Sequence, residues 1–394
     1  MKIGFFYPSN GVGGAQLLFA RLARYLILNS DFNSKVYYFD FKDGFSAELL
    51  NEEKINFIHI IIEKGKNFVI PDEIVLVVPF DIDTIRIIQK YGFYNKVKFL
   101  FYFIEPNMLL TFFHSTKLSK LIGLKATKIL ASFFLARRFN NIRKLLTKSL
   151  NLHGLLFMDT ENCVVPGLYY LFDRTKIELL PIPVPFITDR LLTDNKSSSE
   201  EINLFWIGNI VKQKYYSLIR IIDDFTLNLT LKGKKVNLNI IGDGPYLEDI
   251  KQHTRHFSNQ VHFYGAVSPD KMNELLISKC DILFAMGTSA LEGGKLGFPT
   301  VLMDILSKNE SNYKYKWLYE TKGYTLGKRK ADKTNQHTFS EILNILKSEE
   351  LRDCISILNQ NYTKAHDIDN VGKLFIEKLK ACENMVTYDQ FKII

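Results

Sequence analysis

The sequence predicts two doubly wound α/β domains, each a parallel sheet with helices on both faces, that face each other across a cleft. The 394-residue chain is long enough for two domains, and its apolar content of 46% suffices for two cores. Nearly continuous apolar runs alternate with helical patterns in both halves, which is typical of buried parallel strands. Glycine turns follow several of these runs, where strands would pass into helices.

In the first half, apolar runs predict strands, and leucines at helical spacing predict a helix that begins at Ala15. The predicted strands are 2–7, 36–41, 74–80, 97–104, 154–158 and 177–182.

The second half repeats the alternation, and helices near 339–348 and 371–383 close the chain. The predicted strands are 202–207, 236–241, 261–264, 281–285 and 299–303, and the predicted helices between them are 215–228, 246–257, 270–278 and one that begins near Ser289.

The division between the domains is predicted in a proline-rich stretch, 181–185, because a central strand excludes proline. A polar run with three serines follows it. The predicted organisation is a first domain over 1–185, a linker over 186–201 and a second domain over 202–370. The C-terminal helix and tail, 371–394, could pack back on the first domain.

Cysteine usage and the N-terminus indicate a reducing, cytoplasmic environment. The four cysteines are scattered without paired spacing, so neither a disulfide framework nor a zinc site is expected. The first residues carry one lysine and a short apolar run before Pro8, unlike a secretory signal. No uncharged apolar stretch reaches about 18 residues, so no spanning helix is expected.

The net charge of +9 is concentrated in the segment 106–158, which has no Asp or Glu and nine Lys or Arg residues. Without these nine, the 51 basic residues of the chain would equal the 42 acidic ones. Many large apolar residues are interspersed. Because each Lys or Arg near an anionic lipid surface contributes about 1 kcal/mol, we expect peripheral attachment to the inner face of the cell membrane. A solvated helix face or an acidic partner is the alternative, and nucleic acid is not expected because no recognition motif accompanies the charge.

A glycine-rich turn follows the first predicted strand. Gly13 and Gly14 let the backbone approach a ligand, and the next helix presents free N–H groups to an anion. The turn is not the dinucleotide fingerprint, which would need a glycine at Gln16. A tight strand-to-helix turn explains it equally well.

Two lysines follow the first strand of the second domain. Gly208 and Asn209 end this strand, and Lys212 and Lys214 come directly after it. A cation there would stabilise the charge on a diphosphate leaving group. The lysines could instead be solvated, but cations are unfavourable at a helix N-terminus, which favours the binding role.

A second glycine turn, with Gly242 and Gly244, follows the next strand and is also a candidate ligand contact. Pro245 suits the first position of a helix, so structure alone also explains this turn.

The segment 286–299 is the most informative one. A strand ends at Gly287 and a helix begins at once, so the hydroxyls of Thr288 and Ser289 and the backbone N–H groups could bind a diphosphate. Glu292 lies about one turn further on, where its carboxylate could accept hydrogen bonds from ribose hydroxyls. Ser289 and Glu292 also have the spacing of a capping box, and the sequence leaves both interpretations open.

In order and spacing these segments resemble the GT-B glycosyltransferases, in particular glycosyltransferase family four, over about 2–26 and 204–304. The resemblance implies a GT-B fold and a nucleotide-sugar donor, with Lys214 on the diphosphate and Glu292 on the ribose. The matching features are Gly13-Gly14-Ala15-Gln16, Gly208 with Lys214 six residues later, Gly242-Asp243-Gly244-Pro245, Val261-His262-Phe263-Tyr264-Gly265, and Glu292 followed by Gly297 and Pro299.

Two departures from the family pattern bear on the chemistry. Asn209 stands where the family has Arg, and Lys212 could compensate for it. Phe284 stands where the family has a second Glu, and the loop that holds the donor sugar is shortened to 287–289. The short loop resembles the inverting N-acetylglucosaminyltransferase of lipid II synthesis, whereas family four retains; we expect retention by a small margin.

Glu105 and His114 follow a strand of the first domain and are candidates for the general base that an inverting enzyme needs. Asp81 and Asp83 are similar to the metal motif of the other glycosyltransferase fold, but Asp81 is predicted to cap the next helix. Neither a required metal nor another cofactor is expected.

We therefore expect a hexosyltransferase-type enzyme of surface polysaccharide, lipopolysaccharide or capsule synthesis that acts on a lipid-linked or saccharide acceptor. A nucleotide-sugar 2-epimerase of the same fold is one alternative, although the segment 287–297 offers only Glu292 for acid–base chemistry. A non-catalytic membrane-binding relative is another, favoured by Asn209 and Phe284.

Overall fold

The computed structural model describes residues 1–9, 14–29, 34–114, 116–185, 201–231, 233–388 and 391, apart from the side chain of Arg174. The chain divides into two compact units: unit 1 comprises Met1–Pro183 and Ile368–Ile394, and unit 2 comprises Val184–Asp367. The predicted linker over 186–201 lies outside the described residues except for Glu201, which begins a strand.

Unit 1 is built on a parallel sheet, and β4 and β6 form a separate two-stranded sheet. Its strands are β1 (Lys2–Phe6), β2 (Lys35–Asp40), β3 (Ile58–Ile61), β4 (Phe68–Val69), β5 (Ile74–Pro79), β6 (Gly92–Phe93), β7 (Val97–Phe103), β8 (Leu155–Phe157) and β9 (Glu178–Leu179). The main sheet has the order β3-β2-β1-β5-β7-β8-β9. Its helices before the chain enters unit 2 are α1 (Gly14–Leu28), α2 (Phe45–Glu52), α3 (Ile82–Tyr91), α4 (Met108–Thr111), α5 (Thr116–Ile122), α6 (Leu124–Phe134), α7 (Ala136–Asn151) and α8 (Val164–Tyr170).

Unit 2 has a second doubly wound sheet, in which β11 and β16 are antiparallel to their neighbours. Its strands are β10 (Glu201–Ile207), β11 (Thr230–Leu231), β12 (Lys234–Ile241), β13 (Val261–Gly265), β14 (Ile282–Ala285), β15 (Thr300–Leu302) and β16 (Lys316–Trp317). The order is β11-β12-β10-β14-β15-β16, and β13 also pairs with β12. Its helices are α9 (Lys212–Thr226), α10 (Leu247–Thr254), α11 (Pro269–Lys279), α12 (Thr288–Lys295), α13 (Phe339–Asn344) and α14 (Glu349–Thr363).

The C-terminal helix α15 (Ile368–Ala381) returns to unit 1 and completes its core. A Cβ on Gly372 would come within 2.2 Å of the Tyr25 ring of α1, so the two helices pack closely there. Phe375 contacts Phe5 of β1, with ring centroids 6.0 Å apart. The segment after α15 continues along the sheet, where the Asn384 carboxamide donates to the Phe99 carbonyl at 2.8 Å.

All predicted strands are present, with ends that differ by a few residues, because most are buried apolar runs; β9 and β13 are only partly buried. The strands β3, β4, β6, β11 and β16 and the helices α2, α4 to α8 and α14 were not predicted. β3 lies at the sheet edge and is only half-buried, and α14 buries only Ser356, Asn359 and Thr363, so neither has a strong apolar pattern. Among the described residues, no helix is long and apolar enough to cross a membrane.

Candidate functional site

The two halves of the predicted donor site follow neighbouring strands of unit 2. β10 and β14 pair in parallel, with Ile207 opposite Ala285, so Gly208 and Met286 leave the sheet side by side. From this pair, β12 and β13 lie on one side and β15 on the other. The strand order thus reverses here, and such a switch point at the carboxyl edge of an open α/β sheet is where ligands bind.

The loops after β10 and β12 are joined by backbone hydrogen bonds. Gly208 N–H donates to Ile241 O at 3.1 Å, and Ile210 N–H donates to Asp243 O at 2.8 Å. A Cβ at Gly242 would lie 2.1 Å from Gly208 O, and both Gly242 and Gly244 have positive φ angles, 146° and 153°. These two glycines therefore have a structural role; their contact with a ligand stays a prediction.

Lys214 lies over the end of β10. It is the third residue of α9, and its Nζ is 3.1 Å from the point that a Cβ on Gly208 would occupy. The half-buried ammonium has no hydrogen-bond or ion-pair partner within the described parts of the chain, and burial lowers its pKa. An unpaired cation at the positive end of a helix is unfavourable until an anion binds. Lys212 and Asn209 are exposed nearby.

The helix α12 begins directly after β14. Gly287 is its N-cap, with φ 63°, and donates its N–H to Leu326 O at 2.8 Å. Because the helix begins at Thr288, Ser289 is not the N-cap and no capping box forms. The hydroxyls of Thr288 and Ser289 make no hydrogen bond to any described residue, so they and the first N–H groups of the helix can bind an anion.

Glu292 is instead paired with Lys295, one turn further along α12. The two side chains are only 18% and 9% exposed, so this ion pair is partly buried and orients the carboxylate. Sequence reasoning missed Lys295, although its spacing of three residues from Glu292 is a signal for such a pair.

The end of α12 explains the other family-like residues of this segment. Gly297 has φ 81°, and the N–H groups of Gly297 and Phe298 donate to the carbonyls of Gly294 and Gly293 at 3.0 and 3.1 Å. This is a Schellman helix end, followed by Pro299. Phe284 is buried in β14, with its ring stacked on Phe339 at 5.7 Å, so the position of the family's second Glu belongs to the core.

A basic loop lies beside α12 and was not predicted. The buried carboxylate of Asp304, just after β15, accepts the backbone N–H groups of Lys328 and Asp332, both at 2.9 Å. This anchors the loop that contains Arg329 and Lys330, which are exposed and unpaired within the described residues. Two sequence features could have indicated this loop. One is Asp304 directly after a strand, and the other is the run of three basic residues 328–330.

Asp332 in this loop is held in its charged form. Its carboxylate pairs with Lys316 at 2.9 Å and Lys328 at 3.0 Å. Burial would raise the pKa of Asp332, but hydrogen bonds, led by that from Lys316, outweigh it and hold the pKa far below its usual value.

In unit 1, carboxylates follow the carboxyl ends of the strands. Asp81, after β5, caps α3 as predicted: its Oδ1 accepts the N–H groups of Asp83 and Thr84 at 3.0 and 2.9 Å. Its Oδ2 is buried without a hydrogen-bond partner among the described residues, and burial raises the pKa of Asp81. β5 lies beside β1 at the switch point of this sheet.

Asp81 and Glu105 both lie close enough to Tyr7 to interact with it electrostatically. Burial, then the charges of Asp81 and Glu105, raise the pKa of Tyr7 to about 12. His114 is exposed, with φ 50°, and no contact joins it to Glu105 within the described chain. The structure thus places Glu105 with Tyr7 and Asp81 rather than with His114.

The predicted glycine turn of unit 1 is only partly described. Gly13 lies outside the described residues, whereas Gly14 is the exposed first residue of α1, and a Cβ on it would contact nothing within 4 Å. Gln16 donates to Ser9 Oγ at 3.0 Å, which places this side chain on the strand-to-helix turn. Across the described residues, no group of three or more His, Cys, Asp or Glu side chains could hold a metal ion.

Comparisons with known proteins fit this architecture. Residues 189–353 match the family model of glycosyl transferases group 1. Among solved structures, the lipopolysaccharide outer core galactosyltransferase WaaB in its apo form is 13% identical over 97% of this chain and 99% of its own, with a TM-score of 0.58. A glycosyltransferase from Rickettsia africae ESF-5 is 14% identical over 98% and 99%, with a TM-score of 0.59.

The N-terminal domain of a trehalose-6-phosphate phosphatase from Candida albicans is 11% identical over 97% of both chains, with a TM-score of 0.51. At such identities the likeness shows the fold alone. No curated protein matches the sequence significantly. The chain has the fold of the GT-B glycosyltransferases. Its unit 2 carries the glycosyl transferase group 1 domain, and the resemblance to family four is consistent with this.

Proposed function

We propose that the chain transfers a hexose-type sugar from a nucleoside-diphosphate sugar to a lipid-linked saccharide of a surface polysaccharide, with retention, at an anionic membrane. The observation that carries the donor part is the Lys214 ammonium, which lies at the switch point beside Gly208 and has no partner among the residues that the structure describes. A diphosphate would supply the missing counter-charge there, and it would meet the free N–H groups and hydroxyls at the start of α12. Asn209 stands where the family four pattern has a positively charged Arg. Lys212 and Arg329 are proposed to supply that positive charge instead.

Glu292 is proposed to hold the donor ribose. Its second oxygen can accept hydrogen bonds from ribose hydroxyls while Lys295 occupies the other, because an ionised carboxylate accepts several bonds. The absence of a capping box supports this role, since Glu292 is not engaged by the helix N-terminus.

The donor experiment is a thermal-shift screen of nucleoside diphosphates and their sugars, followed by NMR of the transfer product. Stabilisation by one nucleotide that Lys214→Ala loses is expected, with the anomeric configuration of the donor kept in the product. An inverted product would overturn retention but not transfer. A donor epimerised at C2 without transfer would instead support the 2-epimerase. We further propose that no metal is required, so EDTA should leave the rate unchanged.

The acceptor is proposed to bind at the carboxylate edge of unit 1. Asp81 Oδ2, which has no partner among the described residues, can accept a hydrogen bond from a sugar hydroxyl, and Glu105 is exposed near Tyr7. Tyr7, whose raised pKa keeps it neutral, can donate its own hydroxyl.

Membrane attachment is proposed through the α5–α6 segment, residues 116–134. α5 buries no residue, and α6 buries only Thr127 and Ala131. Large apolar side chains therefore remain exposed: Leu121 by 82%, Ile129 by 66%, Phe133 by 77% and Phe134 by 72%. In contrast, α7 buries its apolar face and exposes a polar one, as an ordinary amphipathic helix does.

Some basic side chains of the segment 106–158 form hydrogen bonds within the protein, and the others are exposed to solvent. Lys128, Arg138 and Lys148 donate to backbone carbonyls. The others are exposed and unpaired within the described residues: Lys117, Lys120, Lys125, Arg137, Arg143 and Lys144. Each buried apolar side chain contributes about 1.5–3 kcal/mol and each nearby cation about 1 kcal/mol, which together suffice for reversible attachment.

Vesicle flotation tests this attachment. The chain should float with phosphatidylglycerol vesicles, less so at high salt, and not with phosphatidylcholine vesicles. Phe133→Ser with Phe134→Ser should abolish flotation, whereas Leu227→Ser, an equally exposed leucine of unit 2, should not. Equal binding to both vesicles at high salt would rule out the proposal.

A further inference from the structure

A polar cavity of about 350 Å³ opens on one face of the unit 2 sheet, away from the donor motifs. It is lined by Glu201 and Asn203 of β10, Asn237 and Asn239 of β12, and residues of β13. Because side chains alternate along a strand, these residues share one face, and their register pairs Asn203 with Asn237. Along β10, Glu201 at one end of the cavity is about 20 Å from Gly208, and Asn239 at the other end is opposite Phe205, about 10 Å before Gly208.

The asparagines form a hydrogen-bonded network in the wall of this cavity. Asn239 Nδ2 donates to Asn203 Oδ1 at 3.3 Å, and the Tyr264 hydroxyl donates to Asn239 Oδ1 at 3.1 Å. Asn237 Nδ2 donates to Glu201 Oε2 at 2.9 Å. Asn237 and Asn239 are only 2% and 1% exposed, so the network fixes their amide groups firmly.

One acceptor in this wall is unsatisfied. Asn237 Oδ1 is buried and has no hydrogen-bond partner among the described residues. A buried polar group without a partner is unfavourable, and a hydroxyl in the cavity that donates to it would remove that cost.

The chemistry of the lining selects the class of ligand. No aliphatic side chain lines the cavity, which excludes an apolar ligand. Glu201 and Asp281 offset Lys279 and Lys235, which pairs with Glu201 at 3.7 Å, so the site carries no excess of positive charge that would select an anion. No metal-ligand cluster occurs in the described residues. Carboxamides, carboxylates and a phenol together both donate and accept, as the adjacent hydroxyls of a neutral sugar require.

We propose that this cavity binds a neutral saccharide unit of the acceptor or product glycan, separately from the donor site. Its size lies within the roughly 300–1,000 Å³ of small-molecule sites. The nature of the glycan rests on the proposed function, whereas binding of a sugar here rests on the cavity alone. Asn237 accepts from one sugar hydroxyl, and Glu201 and Asp281, at the rim, accept from others.

Saturation-transfer NMR on the full chain tests this with the methyl glycosides of glucose, galactose and N-acetylglucosamine. At least one should receive saturation from the wild type and, equally, from Lys214→Met, which alters only the donor site. Asn237→Ala should weaken binding about tenfold, because its amide contacts are lost. Tyr264→Phe removes one hydroxyl, preserves the ring and should weaken sugar binding less. It keeps the test valid if Asn237→Ala fails to fold. Asn312→Ala, an exposed asparagine elsewhere in unit 2, should bind like the wild type.

Two outcomes would overturn the proposal: no saturation transfer to any of the three sugars, or transfer that Lys214→Met abolishes and the cavity variants preserve. A transferase assay on the same proteins separates the two proposals. Sugar binding that depends on Asn237, without any transfer activity, would uphold the cavity and refute the proposed function. Activity that depends on Lys214, without sugar binding, would do the reverse.

Discussion

The carboxyl edges of the two sheets have the same architecture and opposite chemistry. In unit 1, carboxylates lie at or just after the ends of β2, β5 and β8: Asp40, Asp81 and Asp159. In unit 2, strands β10 and β14 are followed by Gly208 and Gly287, and the Lys214 ammonium lies beside Gly208. A doubly wound sheet thus only determines where a site lies, and the side chains after the strands determine what it binds.

The electrostatic difference supports a different proposed ligand for each edge. Among the described residues of unit 2, Lys214 and the first N–H groups of α12 have no counter-charge, an arrangement that favours a phosphorylated ligand. Unit 1 buries its carboxylates and raises the pKa values of Asp40, Asp81 and Asp159, which suits hydrogen bonding to neutral hydroxyls. The predictions below test this contrast.

The largest expected effect is at Lys214. Lys214→Met keeps the length of the side chain and removes the charge, so kcat/KM for the donor should fall about 100–1,000-fold, as for other lost transition-state contacts. The melting temperature should stay the same or rise, because the folded protein no longer holds a partly buried, unpaired cation.

Lys212→Met is the matched control, since Lys212 is exposed two residues away. It should lower kcat/KM much less. Full activity in Lys214→Met, or equal losses in the two variants, would contradict the role of Lys214.

At Asp159 the contrast is tested through stability. Burial raises the pKa of Asp159 from its ordinary value of 3.8 to about 6, although Asn162 donates to its Oδ1. Between these values the folded state binds more protons than the unfolded state, so the free energy of unfolding should fall as pH rises from about 4 to about 6. Asp159→Asn should remove this fall and raise the free energy of unfolding at pH 7 by about 3 kcal/mol at most.

Urea unfolding of both proteins at several pH values measures this effect. Asp43→Asn, at an exposed aspartate of the same unit, should leave the wild-type pH profile unchanged. A wild-type stability that rises through this pH range relative to Asp159→Asn would show that the carboxylate is stabilised, not strained, by its surroundings.

The sequence predicts the sheets well and the site unevenly, for physical reasons. Buried parallel strands such as β5 and β7 are continuous apolar runs, which sequence patterns identify directly. The position of Lys214 and Gly208 also follows from the strand end. The pairing of Glu292 with Lys295, in contrast, depends on where α12 begins, and the sequence left open whether Ser289 caps this helix.

Other parts of the site depend on long-range contacts that no local pattern contains. Asp304 anchors a loop about 25 residues further on, and only the fold brings Arg329 beside β15. Likewise, Asp81 was predicted correctly as a helix cap, but its second oxygen is buried without a partner in the described part of unit 1. Capping and binding are compatible because a carboxylate has two oxygens.

Asp81→Asn tests whether that second oxygen serves the acceptor. The amide oxygen can keep the cap of α3, since Asn is as good an N-cap as Asp, so stability should change little. kcat/KM for the acceptor should fall about 10–100-fold through the lost charged hydrogen bond, while nucleotide affinity stays the same. Asp83→Asn, in the same helix turn, is the control, and a loss of nucleotide affinity in Asp81→Asn would contradict the assignment.

The smallest expected effect is at the glycine turns of the two units. A side chain would have free space at Gly14 in unit 1 but not at Gly242 in unit 2. Gly14→Ala meets no atom within 4 Å and replaces glycine at a helix start, so it should stabilise unit 1 by about 0.4–1 kcal/mol. Gly242→Ala would collide with Gly208 O and should instead destabilise unit 2. Unfolding measurements on both variants decide these signs. If Gly14→Ala is more stable and yet less active, the backbone at Gly14 approaches a ligand; if activity is unchanged, the turn is structural.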